Sequence, residues 1–478
     1  MKFYRKCKSA RVGHVGRLRP REQISAWSAL LGAVAALLMT TSEASAQQGG
    51  SSASPESAEK TPEKPLFGFL YAHAQLTNIW QYHPAFRSPY EGPNSLQGGN
   101  HINETTDATL YAGADLGHGL EFWWNPEMNQ GIAPSNTLGV AGYVNGDGAK
   151  VGKKHAYFRT SRAFFRQTID LGGGKDRIEA DTNRLSRDST NDRLTFSLGK
   201  FNATDVFDDN AYAHDPKQDF MNWSVIDGGA FDYAADAWGY TYGAAAEWRT
   251  GQWSYRGGVF DTSRFPNGKS LTNGFAQFQL MGEIERRYSW GGHDGKIKLT
   301  AFLSRARLAT FTDAIAWGVR NQTAADTTLV RRYRSRPGAV VNIEQALSKD
   351  LGFFARASVA DGHIEPYEYA DIDRSLLAGV SLKGTRWGRK DDTLAVAVVD
   401  NAISSIHQAY VNAGGLGILI GDGKLPRPGD ERILEAYYNW AVVEHVHLTF
   451  DTQAVQSPAY NRDRGPAVVF GARLHLDY

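Results

Sequence analysis

From Leu66 to the C-terminal Tyr478 the chain alternates apolar and polar residues in short runs. A period of two puts successive side chains on opposite faces of an extended strand. The last twelve residues show it most clearly. Val468, Phe470, Ala472, Leu474, Leu476 and Tyr478 share one face, opposite Val469, Gly471, Arg473, His475 and Asp477. Farther back, Val446, Leu448, Phe450 and Ala454 oppose His445, His447, Thr449, Asp451 and Gln453, and Ala276, Phe278, Leu280 and Ile284 oppose Gln277, Gln279, Glu283 and Glu285. The pattern predicts sixteen strands. Eight lie at 66–77, 106–117, 119–127, 156–171, 192–201, 236–249, 252–261 and 271–289. The other eight lie at 294–307, 336–348, 351–360, 373–384, 391–399, 432–442, 445–456 and 466–478.

The connections sort by parity. Links after even-numbered strands are mostly tight, as at Gly117-His118 and Thr250-Gly251, whereas 78–105, 128–155, 202–235, 308–335 and 400–431 are long. Short turns at one end and long loops at the other describe an outer-membrane β-barrel with both termini in the periplasm. A soluble sandwich has no reason to sort its loops in this way. The segment 172–191 breaks the rule, being long where a short turn is expected, so the register or strand count there could be off by a hairpin. A charge facing lipid at mid-membrane costs roughly 2–4 kcal/mol, so the charged rows must face a lumen. Sixteen strands enclose a bore wide enough for water, where about eight would be filled by side chains.

The N-terminal region changes the bulk picture. Eight Lys and Arg with no acid occupy residues 2–21, an apolar run follows from Ala26 to Met39, and Ala44-Ser45-Ala46 precedes Gln47. That order predicts a cleaved secretory leader over 1–46. The apolar run is too short to span a membrane, which takes roughly 18 residues or more. Residues 47–65 read as a disordered periplasmic spacer and 66–478 as the barrel. Without the leader the formal net charge moves from +1 to −5, and the single cysteine, Cys7, is lost. The mature chain then has no disulfide or cysteine metal site, and no basic footprint for nucleic acid. Mean hydropathy is −0.42, which a barrel tolerates because only alternate residues meet lipid. The 21 Tyr, 23 Phe and 12 Trp suit aromatic girdles at the membrane interfaces.

Candidate chemistry concentrates early in the chain. Glu121, Trp123, Asn125 and Glu127 share one face of 119–127, and Arg162, Phe164 and Arg166 share one face of 156–171. Planar polar groups bond sugar hydroxyls and aromatic rings stack on sugar C–H faces. The same residues could equally be ordinary pore lining, with acids and arginines paired across the lumen. The link 202–235 holds Asp205, Asp208, Asp209, Asp215, Asp219, Asp227 and Asp232 among Phe207, Tyr212, Phe220, Trp223, Phe231 and Tyr233. So aromatic a loop is expected to fold into the bore and narrow it. Its acids do not match the spacing of a calcium loop. Gly172-Gly173-Gly174-Lys175 lacks Walker spacing, and no nucleophile is tied to a base, so neither enzyme activity nor a cofactor is expected.

These segments resemble the carbohydrate-selective porins of the OprB family. The resemblance rests on Asn78 to Tyr90 (Asn-Ile-Trp-Gln-Tyr-His-Pro-Ala-Phe-Arg-Ser-Pro-Tyr), Asp107 to Gly113, Asn125-Pro-Glu127, Phe164 to Gly173, Leu198 to Phe201, Tyr212 to Pro216, Phe231 to Gly243 and Gly415 to Gly423. It implies an all-β, sixteen-stranded antiparallel transmembrane barrel in the outer membrane, with an inward-folded constriction loop, passing sugars such as glucose down their gradient. Carried over position by position, the implied constriction set is Glu121, Trp123, Glu127, Arg162 and Arg166 on the wall and Asp208, Asp215 and Trp223 on loop 202–235. The implied partners are sugars and outer-membrane lipid. Porins often form homotrimers, but no lipid-free face can be recognised in the sequence. A general diffusion porin is the alternative, followed by a non-channel barrel such as an adhesin or hydrolase. The terminal Tyr478 departs from the more usual Phe or Trp.

Overall fold

The computed structural model describes residues 68–148 and 151–478. The expected leader and spacer lie outside the described residues. Sixteen strands close into one antiparallel barrel in which each pairs with its sequence neighbours and the last pairs with the first. They are β1 (Leu70–His83), β2 (His101–Asp115), β3 (Leu120–Ile132), β4 (Lys153–Ile178), β5 (Arg187–Phe201), β6 (Thr241–Thr250), β7 (Trp253–Asp261) and β8 (Phe278–Trp290). The second half comprises β9 (His293–Leu308), β10 (Arg332–Ala346), β11 (Leu351–Ala360), β12 (Arg374–Gly384), β13 (Arg389–Ala402), β14 (Glu431–Val443), β15 (Val446–Gln456) and β16 (Ala467–Asp477). Closure pairs Gln75 with Asp477 through Tyr82 with Phe470. Full closure leaves no open sheet edge in lipid.

Alternation sets the two faces. Trp80, Tyr82, Trp124, Phe165, Leu280, Val398, Phe450 and Phe470 stand exposed on the outer, lipid-facing wall. Gln75, Thr77, Gln81, Glu283, Glu435, Gln453 and Arg473 are buried on the inner side. Among the described residues the α-helices lie in the long loops. α1 (Phe311–Asn321) is N-capped by Thr310, whose hydroxyl accepts from Asp313 N at 3.2 Å. α2 (Ser405–Asn412) is capped likewise by Ser404.

Several boundaries differ from the alternation reading: β8 starts at Phe278, not at 271, β2 starts at His101, not at 106, and two further differences have a clear local cause. β1 runs on to His83, beyond the expected end at 77, because Ile79, Gln81 and His83 continue the inner row while Trp80 and Tyr82 continue the outer one. β6 starts at Thr241, not at 236. Asp236 Oδ1 accepts from Trp238 N at 2.9 Å and Tyr240 N at 3.3 Å, tying residues 236–240 into a turn that alternation alone reads as strand. The irregular 172–191 segment leaves the strand count at sixteen. It extends β4 and β5 as one long hairpin whose register breaks between Asp170 and Lys175.

The interior is filled unevenly. The segment from Asn202 to Asp236 enters the barrel and is held by strands from around the wall. Arg356 on β11 donates to the carbonyls of Val225 and Ala213, each at 2.8 Å, and to Asp208 O at 3.0 Å. Arg473 on β16 donates to the carbonyls of Pro216, Gln218 and Asp219 at 2.7–2.8 Å. Glu435 on β14 accepts from Met221 N at 2.6 Å, and Gln279 on β8 accepts from Ala234 N at 2.6 Å. Buried irregular backbone needs such partners, because an unmet amide or carbonyl costs about 1–3 kcal/mol. Phe220 packs edge-on to Tyr437 at 4.9 Å and Phe231 lies 5.4 Å from Phe302, so apolar contact adds to the polar anchors.

Candidate functional site

Between the inward loop and strands β2 to β7 there remains a lumen of about 760 Å3. Its wall carries three arginines of β4 in a column: Arg159, Arg162 and Arg166. Strict alternation would turn Arg159 and Arg162 to opposite faces. A bulge prevents this. Asn125 pairs with Arg162, Pro126 with Thr160 and Glu127 with Arg159, so Ser161 is the extra residue and its hydroxyl bonds Asn125 O at 3.1 Å. Pro126 has no N–H to give to the ladder, which makes this a natural place for the pairing to slip.

Glu127 gathers the centre of the site. It accepts from Arg159 Nη2 at 2.6 Å, from Asn129 Nδ2 at 2.7 Å and from the Tyr240 hydroxyl at 3.3 Å. The Tyr240 ring lies 4.7 Å from the Arg159 guanidinium and 5.0 Å from that of Arg162. Burial, with the Glu127 charge adding to it, pushes the Tyr240 phenol up to about 12, so it remains a donor at neutral pH. Trp238 stands beside it, 5.6 Å from Arg159, with its indole N–H on the Tyr157 hydroxyl at 3.0 Å.

The loop supplies the opposite wall. Arg162 makes a two-pronged contact with Asp205 at 2.7 and 2.6 Å. Asp205 is fixed by a reciprocal cap: its carboxylate accepts from Asn202 N at 3.0 Å while Asn202 Oδ1 accepts from Thr204 N at 3.0 Å. Lys217 bridges Asp107 of β2 and Asp147, the latter at 2.5 Å. Burial alone would lower its pKa, but Asp107 and Asp147 outweigh it and hold the ammonium well above its ordinary range. At the short-turn end, Arg166 lies 3.9 Å from Glu121.

Glu121, Glu127, Arg162, Arg166, Asp215 and Trp223 of the sequence-derived set all line this lumen. Asp215 spends one carboxylate oxygen on Lys217 N at 2.9 Å. Trp223 stacks on Tyr143 at 5.6 Å. Two members lie elsewhere. Trp123 is flat against the wall over Gly113, where a Cβ would come within 2.6 Å of its ring, and its indole N–H is taken by Glu121 at 2.9 Å. Asp208 is fully buried between the loop and the β10–β11 wall, bonding Gly228 N at 2.7 Å and Asn342 at 2.7 Å, with Arg356 at 3.3 Å. Periodicity places Trp123 on the inner face but cannot tell lumen from loop-covered wall.

Sequence reasoning missed Arg159, Lys217, Trp238 and Tyr240. Pro126 inside a strand, and an Asp three residues before Gly239, were the available signals. Of the buried polar atoms in the site that lack a hydrogen-bond partner among the described residues, two belong to one side chain. They are the buried Arg159 Nε and Nη1, both donors. The Trp223 indole N–H at the lumen edge is unpaired as well. Among the described residues no cluster of His, Cys, Asp or Glu is placed to hold a metal ion.

Comparison with known proteins places this geometry in context. The sequence profile described as "Carbohydrate-selective porin, OprB family" matches residues 94–478. No curated protein matches the chain. Among solved structures, the high-pH form of Pseudomonas putida OprB superposes with a TM-score of 0.65 at 15% identity, over 86% of this chain and 94% of that one. Its low-pH form gives 0.48 at 12%, over 86% and 93%. The outer-membrane channel DcaP of Acinetobacter baumannii gives 0.47 at 10%, over 86% and 97%. The first of these likenesses speaks for the fold.

Proposed function

The chain belongs to the carbohydrate-selective porin, OprB family, and from that premise we propose that the Arg159–Glu127–Tyr240 cluster is where a permeating sugar of monosaccharide size is bound and selected. The protein is an outer-membrane porin for passive carbohydrate diffusion. What supports the finer reading is the state of Arg159. Its Nη2 is committed to Glu127, while Nε and Nη1 remain buried donors with no protein partner. A buried donor left unmet costs about 1–3 kcal/mol. A small turn of the guanidinium toward the lumen would let a sugar hydroxyl, or water that a sugar displaces, accept from them. Arg162, next in the same column, and Asp205 on the loop are further hydroxyl partners, and Tyr240 and Trp238 offer ring faces for sugar C–H groups.

Such a site explains selectivity without tight binding. Each ion pair already balances its own charge, so a sugar gains a few hydrogen bonds and leaves again. The liposome-swelling rate for glucose should exceed that for uncharged solutes of the same size. Equal rates would reduce the protein to a general diffusion porin. In the same reading residues 1–46 are a cleaved export leader, 47–65 a periplasmic spacer and 66–478 the barrel. N-terminal sequencing of protein taken from outer membranes should then begin at Gln47.

A further inference from the structure

The β4–β5 hairpin is much longer than its neighbours at the short-turn end. Closing two antiparallel strands takes two to five residues, and most links at this end of the barrel are of that size. Here the pairing continues past Gly172–Asp192 through Lys175–Thr190 to Ile178–Arg187. Two glycines are looped out at the break. Gly172, Gly173 and Gly174 have φ of 110°, 78° and 97°, a region in which other residues are strained. The bend is therefore written into the backbone, and it turns the outer part of the hairpin inward at the pore mouth.

The contacts show where it goes. Asp176 is held by Arg193 at 2.7 Å and by Arg249 of β6 at 3.4 Å. The tip then folds back over β3 and β4, where Arg166 donates to Asn183 O and Leu185 N donates to Glu121 at 3.3 Å. Leu185 is buried, while Asp181, Thr182, Asn183 and Arg184 line the same lumen as Arg159. Asn183 Oδ1 is a buried acceptor with no protein partner. Short turns and chain termini mark this end as periplasmic.

We propose that the hairpin tip, residues 181–184, is a second, exit-side solute station: a polar strap over the β3–β4 side of the periplasmic mouth that contacts each sugar as it leaves. Thr182, Asn183 and Arg184 supply hydroxyl-bonding groups beside Arg166, so a sugar passes from the Arg159 cluster to this one before reaching the periplasm. The proposal rests on the sugar-channel reading of the lumen. It makes transport a two-step passage between sites in series, with the strap limiting the outflow.

The register suggests the test. Deleting residues 174–190 leaves Gly173-Asn191 as a two-residue turn between the paired Gly172 and Asp192, a loop length that suits a hairpin. With the strap and the Arg159 cluster as resistances in series, removing one should raise single-channel conductance in planar bilayers, by about twofold where the two are equal. Block by glucose added on the periplasmic side should weaken, and block from the extracellular side should persist. The triple variant Thr182→Ala, Asn183→Ala, Arg184→Ala keeps the hairpin fold and should weaken periplasmic-side block alone. Deletion protein that is folded by heat-modifiable gel mobility, yet keeps wild-type conductance and periplasmic block, overturns the proposal. Loss of block equally from both sides also overturns it, since the hairpin would then merely brace the main cluster. Absence of glucose block in the unaltered protein counts against the sugar site itself, while the conductance change still reports on the strap.

Discussion

Replacing Arg159 with lysine separates charge from shape at the centre of the pore. Lysine keeps a cation beside Glu127, so the buried carboxylate is not abandoned, but it loses the planar fork that carries Nε and Nη1. Those two donors are the ones left without protein partners. Hydrogen bonds from a charged donor contribute about 1.5–3 kcal/mol, which translates into a roughly 10–150-fold rise in the half-blocking sugar concentration. The assay is ion current through single channels titrated with glucose. Open-channel conductance and ion selectivity should stay near the wild-type values, because the net charge of the lumen is unchanged. Arg162→Lys serves as a comparison. Its fork is already spent on Asp205 at 2.7 and 2.6 Å, so the direct loss of sugar contact should be smaller. Half-block at the wild-type concentration in R159K would refute the assignment of Arg159 as the sugar donor.

Other outcomes follow from the loop. Burial pushes the Asp227 carboxyl up to about 7, with the His214 charge pulling the other way. An acid whose pKa is raised on folding stabilises the fold fully below its unfolded value, and that contribution is lost as pH climbs towards the folded value. The difference from an ordinary 3.8 is worth roughly 4 kcal/mol. Hydrogen exchange in residues 203–235, corrected for intrinsic rates, should therefore show declining protection from pH 4.5 to 8, and Asp227→Asn should flatten the decline; parallel slopes in the two proteins would exclude this origin. Arg356→Met strands Asp208 and the carbonyls of Val225 and Ala213, a loss of about 3–5 kcal/mol at a buried pair. It should release the loop and give noisier, larger conductance, and a quiet wild-type trace would argue against the anchor.

The barrel was legible because lipid and lumen impose opposite demands on alternate residues. Phe470 and Arg473 could be assigned to their faces from the sequence alone. What escaped was whatever interrupts the period of two. Ser161 adds one residue to β4 and turns Arg159 inward, against the alternation that correctly placed Arg162 and Arg166. Residues 236–240 alternate like a strand, yet Asp236 binds them into a turn and delivers Trp238 and Tyr240 to the lumen. Partner choice escaped as well. Nothing local distinguishes Asp208, buried against Arg356, from Asp205, which faces Arg162. Those pairings join residues far apart in the chain, and only the folded loop decides them.

The off-centre lumen also loosens the tie between barrel size and permeability. The inner faces of β8, β10, β11, β14 and β16 grip the inserted loop, while the lumen is walled mainly by β2 to β7. Strand number then fixes how much wall is available to hold a plug, and the plug fixes the aperture. A change of solute preference needs substitutions on one arc of the cylinder only. The remaining arc works as a clamp, answerable to the loop's backbone and not to the passing molecule. Selection on transport and selection on folding can thus act on separate sectors of a single chain.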